Sequence, residues 1–119
     1  MITNMENKRH KRTILIDLDG VLNTYAGEFD PEYIPPMKEG AKEFLENLSL
    51  NYDLKLFTTR PTPLTKIWLK NNDLTNYFSE ITNIKKPAIL QIDDRCINFK
   101  GDYTQTLTEI QNFKPWYKS

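Results

Sequence analysis

The stretch "TILIDLDGVLN", Thr13 to Asn23, decides the fold. An apolar run without polar alternation ends on two aspartates, Asp17 and Asp19, and Gly20 follows at once. A run apolar on both faces is the pattern of a central parallel strand covered on both sides. Two carboxylates aimed at one small space repel, so they either open an ordinary turn or face something positive.

Downstream, the elements alternate. After the glycine, proline and aromatic-rich loop "NTYAGEFDPEYIPP", a helix is expected from near Pro36, with Met37, Ala41, Phe44, Leu45 and Leu48 on its buried face. "YDLKLFTT" reads as a second strand, and Thr62 before Pro63 as the next helix start. That helix carries the stripe Leu64, Ile67 and Trp68, and it stops at Asn71, Asn72 and Asp73. A short strand is expected at Glu80 to Asn83, a buried one at Ala88 to Ile92, a small fifth one at "CINF", and a last helix over Tyr103 to Ile110. This alternation predicts an α/β fold: a three-layer Rossmann-like domain with a mostly parallel central sheet. Residues 1–12 form a polar, mobile lead-in, and 13–119 a single domain.

Composition narrows the function. Of 119 residues, 39% are hydrophobic and 27% charged, which suits a globular chain; sixteen basic and sixteen acidic residues cancel. That balance disfavours a protein whose main work is coating nucleic acid. No apolar run is long enough to span a membrane, and the N-terminus lacks the apolar core of a signal peptide. With one cysteine, Cys96, no internal disulfide forms, and the cytoplasm is the expected compartment. The basic cluster from Lys8 to Arg12 is expected to be solvated.

The polar residues gather at strand ends. Asp17 and Asp19 follow the first strand, Thr58 ends the second, and Asp93 with Asp94 ends the strand after Lys85 and Lys86. In an open parallel sheet, ligands bind outside the carboxyl ends of the strands. Taken singly, each is an ordinary turn, strand end or surface loop; their joint arrival at one rim points to a site. Hard oxygen ligands without a nearby histidine or cysteine suit Mg²⁺ and a substrate phosphate. The only histidine, His10, lies in the polar N-terminus, so a carboxylate is the expected nucleophile.

"DLDGVLN", "LFTTR", "KKPA" and "IDDR" resemble, in order, the four motifs of the haloacid dehalogenase (HAD) superfamily of aspartate-nucleophile phosphohydrolases. The resemblance runs from about Thr13 to Tyr103. It implies that Asp17 is nucleophile and Mg²⁺ ligand, and that Asp19 is general acid and base, with its main-chain carbonyl on the metal. It further implies that Thr58 holds a phosphate oxygen and that Asp93 and Asp94 complete the metal site. The phosphate-binding lysine is Lys85 or Lys86, with the spacing to Asp93 favouring Lys85. Asn23, Tyr25 and Arg60 are candidate substrate contacts.

About forty residues separate Asp19 from Thr58, and about twenty-five separate Thr58 from Lys85, so no cap domain fits. By family analogy an open site admits a bulky phosphorylated substrate, such as a sugar chain, a protein or a nucleic acid end; alternatively a partner copy in a homo-oligomer closes it. The loop with Tyr25, Glu28, Phe29 and Tyr33 is the nearest thing to a lid, its aromatics either contacting substrate or anchoring the loop. Phe113, Trp116 and Tyr117 are expected to dock the tail onto the core, and Arg95 to pair with a neighbouring carboxylate or carbonyl. The expected activity is a Mg²⁺-dependent phosphomonoester hydrolase. The alternatives are a silent module binding a phosphorylated ligand, or a phosphotransferase. A response-regulator receiver is disfavoured, because it carries its acidic pair after the first strand rather than last.

Overall fold

The structure, a computed structural model, describes residues 11–118. The expectations for the N-terminal lead-in and its basic cluster fall largely on residues 1–10, outside the described residues. The described residues form, in chain order, β1 Arg12–Asp17, α1 Ala41–Ser49, β2 Tyr52–Phe57, α2 Thr62–Asn71, β3 Phe78–Thr82, β4 Leu90–Ile92 and α3 Tyr103–Asn112. A 3₁₀ turn at Thr75–Tyr77 leads into β3. The strands form one parallel sheet in the order β3-β2-β1-β4, the expected Rossmann-like α/β arrangement.

Register explains the core. Ile14 pairs with Leu54 and Leu90, and Ile16 with Leu56 and Ile92, so these side chains share one face. Ala41 and Leu45 of α1 and Trp68 and Leu69 of α2 pack on that face in a single cluster with Leu18, Leu22, Ile34 and Leu74. Both helices lie on one side because β1 to β2 and β2 to β3 step in the same direction, and right-handed crossovers then fall on the same face. The step from β3 to β4 runs the other way, across the whole sheet. Three strand spacings amount to about 14 Å, and seven extended residues reach about 23 Å. Residues 83–89 therefore make the crossing without a helix. Leu15, on the opposite face from Ile14 and Ile16, is buried and shares a cavity wall with Lys85 to Gln91 of that connection.

Several local expectations shift. The first helix starts at Ala41, not near Pro36. An antiparallel bridge from Asn23 to Met37, with Thr24 N–H donating to Pro36 O and Lys38 N–H to Leu22 O, keeps the chain extended along the Asp17–Asn23 turn. Gly40, at φ 89°, then lets it turn into α1. Phe44 and Ile67, expected on buried stripes, are exposed, and Leu69 is buried instead. The stop after Asn71 holds, with Asp73 left-handed at φ 57°. β3 begins at Phe78 rather than Glu80. β4 is shorter than expected and, as an edge strand, leaves Leu90 half exposed rather than buried. "CINF" forms no strand. α3 runs two residues further than expected, and Asp102 caps it by accepting from Thr104 and Gln105 N–H. None of its residues is buried.

Leu45, with no exposed surface, and Leu107 on α3, 63% exposed, offer a direct contrast. Leu45→Ala is expected to cost about 2–5 kcal/mol in urea unfolding, and Leu107→Ala to stay within about 0.5 kcal/mol.

Candidate functional site

β1 delivers Asp17, and the chain then turns tightly. Val21 and Leu22 N–H both donate to Leu18 O. Asn23, fully buried, locks the turn: its Oδ1 accepts from Gly20 and Tyr25 N–H, each at 3.0 Å, and its Nδ2 donates to Asp19 Oδ1 at 3.0 Å. Asn23 does not line the cavity; its hydrogen-bonding capacity is used inside the turn.

β4 ends on Asp93 and Asp94. One carboxylate oxygen each from Asp17, Asp93 and Asp94 lies within 4.8 Å of the others. The Asp94 side chain is 3% exposed, yet neither of its oxygens has a hydrogen-bond partner, and Arg95 Nε stands off at 3.9 Å. Gly20 makes this approach possible. It sits at φ 84°, and a Cβ there would collide with the Asp94 carboxylate. A buried carboxylate without donors is costly. Together with its two neighbours it forms a donor set of hard oxygens that fits a divalent cation such as Mg²⁺. The Asp19 side chain stands outside this trio.

β2 ends beside β1 and contributes Thr58, whose N–H donates to Thr82 O at 2.9 Å and whose Oγ1 accepts from Arg60 N–H. Arg60 is buried. Its Nε donates to Asp19 Oδ2 at 2.8 Å and its Nη1 to Asp30 O at 2.9 Å, while Nη2 is buried without a partner. The guanidinium lies 4.6 Å from the Phe29 ring centroid. Arg60, a candidate substrate contact by sequence, is thus the counter-charge and clamp of Asp19 and does not line the cavity.

The cavity over these groups measures about 570 Å³ and is lined by Asp17, Asp19, Thr58, Thr59, Asp93 and Arg95, with Tyr25, Phe29 and Phe57 as an aromatic wall. Phe57, expected from the sequence only to supply apolar surface to the second strand, is the register partner of Asp17, so strand parity already aims it there. Neither Lys85 nor Lys86 lines this space. Both belong to the 83–89 connection across the sheet, where Lys86 pairs with Glu80 at 3.3 Å.

The C-terminal segment docks as expected, and its target is the Asp17–Asn23 turn. Trp116 Nε1 donates to Gly20 O at 2.8 Å, and Lys38 Nζ lies 4.0 Å from the Trp116 ring centroid. Tyr117 meets Tyr25 edge-on at 6.5 Å and packs beside Gly27.

Electrostatics follow from the crowding. Burial first, then Asp93, Asp94 and Asp19, push the Asp17 carboxyl from 3.8 up to about 7. Burial and then Asp93 also raise Asp94, against Arg95.

No family model matches the chain, and no curated protein matches it. Among solved structures it is similar to one described as that of "the conserved protein coded by locus from Bacteroides thetaiotaomicron". The TM-score is 0.58 and the identity 21%, over 92% of this chain and 100% of the other. That likeness supports the α/β fold.

Two outcomes are expected. Folded Asp17 keeps its proton to about pH 7, whereas the unfolded group releases it near 3.8. Between those values the folded state binds more protons, so stability falls as pH rises and the contribution is lost above pH 7. Asp94 adds to this slope; Glu80, held low by Lys55 and then Lys86, acts in the opposite sense at the acid end. Urea midpoints of cation-free protein should drop between pH 4 and 7, and Asp17→Asn should flatten that drop. Arg60→Met, which leaves Asp19 without its buried partner, should cost about 3–5 kcal/mol in the same assay.

Proposed function

We propose that this chain is a Mg²⁺-dependent phosphomonoester hydrolase of the HAD type, with Asp17 as nucleophile. The observation that carries the reading is the convergence of the buried Asp94 carboxylate, which has no hydrogen-bond partner, with Asp17 and Asp93, which line a cavity together with Thr58. Bound there by Asp17, Asp93 and Asp94, Mg²⁺ would neutralise carboxylate repulsion and polarise the phosphoryl group.

An Asp17 oxygen attacks phosphorus while the bond to the ester oxygen breaks, and Asp19 gives that oxygen its proton. Asp19 then takes a proton from water, whose oxygen attacks the same phosphorus and frees Asp17. Arg60 and Asn23 each donate to one Asp19 oxygen, which holds in place the carboxyl that makes both transfers. Thr58 steadies a phosphoryl oxygen. Arg95 lines the cavity and takes the place the sequence offered to Lys85 or Lys86 as the cation for phosphoryl charge. A cytoplasmic setting belongs to this reading; among the described residues no helix is long and apolar enough to cross a membrane.

The distance of both lysines from the cavity favours one second reading, a module that binds a phosphorylated ligand without turnover. Phosphate release from p-nitrophenyl phosphate, with Mg²⁺ and with chelator, separates the two. Hydrolysis should require Mg²⁺ and fall at least ~10³-fold in Asp17→Asn. Mg²⁺ should also raise the melting temperature of the wild type more than that of the variant. A Mg²⁺-stabilised protein with no release above the variant background would favour the binding module.

A further inference from the structure

The aromatic wall of the cavity is braced from behind. Phe29 is 55% exposed, yet one face of its ring rests on the buried Arg60 guanidinium. Tyr25 takes Tyr117 edge-on, and the Arg95 guanidinium lies 5.8 Å from its ring centroid. Phe57 extends the same wall. Interactions thus hold two of the three rings in place, Phe29 and Tyr25, and Phe29 is half open to solvent.

The polar residues that line the cavity are Asp17, Asp19, Asp93, Thr58, Thr59 and Arg95. The rest of the lining is Tyr25, Phe29 and Phe57, with no Asn, Gln, Ser or His. A polyhydroxylated leaving group would exchange water for ring faces and leave hydroxyls unpaired, which is costly. A flat heterocycle instead gains stacking on such rings, with any base sequence tolerated. The volume of about 570 Å³ far exceeds what a phosphate ion fills and falls in the range that holds a whole small molecule. It leaves room for a phosphoryl group beside Asp17, a pentose and a heterocyclic ring.

Resting on the hydrolase reading above, we infer that the substrate is a nucleoside monophosphate, with its phosphoryl group over Asp17 and its base against Phe29 and Tyr25. The overall step breaks the bond between phosphorus and the ribose oxygen. Water supplies hydroxyl to phosphorus and a proton to that oxygen, giving nucleoside and inorganic phosphate.

Binding is measured by calorimetry on Asp17→Asn protein with Mg²⁺, so that turnover is not needed. The ligands are 3′- and 5′-nucleoside monophosphates, glucose 6-phosphate, glycerol 3-phosphate and phosphotyrosine. One of the nucleoside monophosphates should bind at least about ten-fold tighter than either non-aromatic ester, the scale of one stacked base. Adding Phe29→Ala should reduce that ratio to within about three-fold, and Phe29→Tyr should keep it. Circular dichroism checks that each variant folds. Equal binding of all esters, tighter binding of glucose 6-phosphate, or tighter binding of phosphotyrosine overturns the assignment. The same ligands given to wild type test the other reading separately. Nucleotide-selective binding without hydrolysis supports the ring site and sinks the hydrolase, whereas hydrolysis without ring preference does the reverse.

Discussion

Asp94 lies against the main chain at Gly20, its carboxylate buried and without a hydrogen bond, and Asp17 and Asp93 come within 4.8 Å of it. Burial first, and then the like charges of its neighbours, raise the proton affinity of Asp17, which is pushed up to about 7. The fourth carboxylate, Asp19, stands outside the trio, and Asn23 and Arg60 each hold one of its oxygens. Without a side chain at position 20 the turn can approach Asp94; without Arg60 the half-buried Asp19 carboxylate would lose its counter-charge. The site is therefore built around tolerating acidic crowding, and a cation is the natural complement of what remains uncompensated.

The sheet supplies this crowding with little material. β1 lies between β2 and β4, so the strand ends that carry Asp17, Thr58 and Asp93 are adjacent by topology before any side chain is placed. Both helices with buried residues pack on one face, and the other receives the seven-residue crossing from β3 to β4. That economy has a consequence for charge. Lys85 and Lys86 lie within the crossing, and Lys86 is drawn to Glu80, as is Lys55 at 3.1 Å. Lys86 thus pairs with the edge strand, and neither lysine lines the cavity at the strand ends.

Legibility followed the same division. Strand-end positions could be read because the strand pattern and the parallel topology fix them, so Asp17, Thr58, Asp93 and Asp94 fell where expected. Roles that depend on a side chain's reach could not. Arg60 looks like a substrate contact in one dimension, yet burial directs its fork to Asp19 and to Asp30 O. Asn23 looks available, and the turn consumes it. The start of α1 was misplaced because Pro36 suits a helix equally well as an extended pair, and the Asn23–Met37 bridge, a contact over fourteen positions, chose the latter. Trp116 bonding to Gly20 across 96 positions has no local signal at all.

The loop 24–36 contains no helix or strand, yet it is fastened along its length. Thr24 bonds to Pro36, Arg60 holds Asp30 O, Trp68 Nε1 donates to Pro35 O at 3.0 Å, and Ile34 is buried in the core. Tyr117, from the far end of the chain, closes the remaining side against Tyr25 and Gly27. A loop pinned at this many points has lost its conformational freedom during folding, so little remains to be lost when a ligand meets Tyr25 and Phe29. A domain without room for a separate cap thereby acquires a fixed wall from a loop and a tail. Because Arg60 touches both Phe29 and Asp19, the wall and the proposed acid–base group are set by one side chain, so that ring placement and proton placement cannot vary independently.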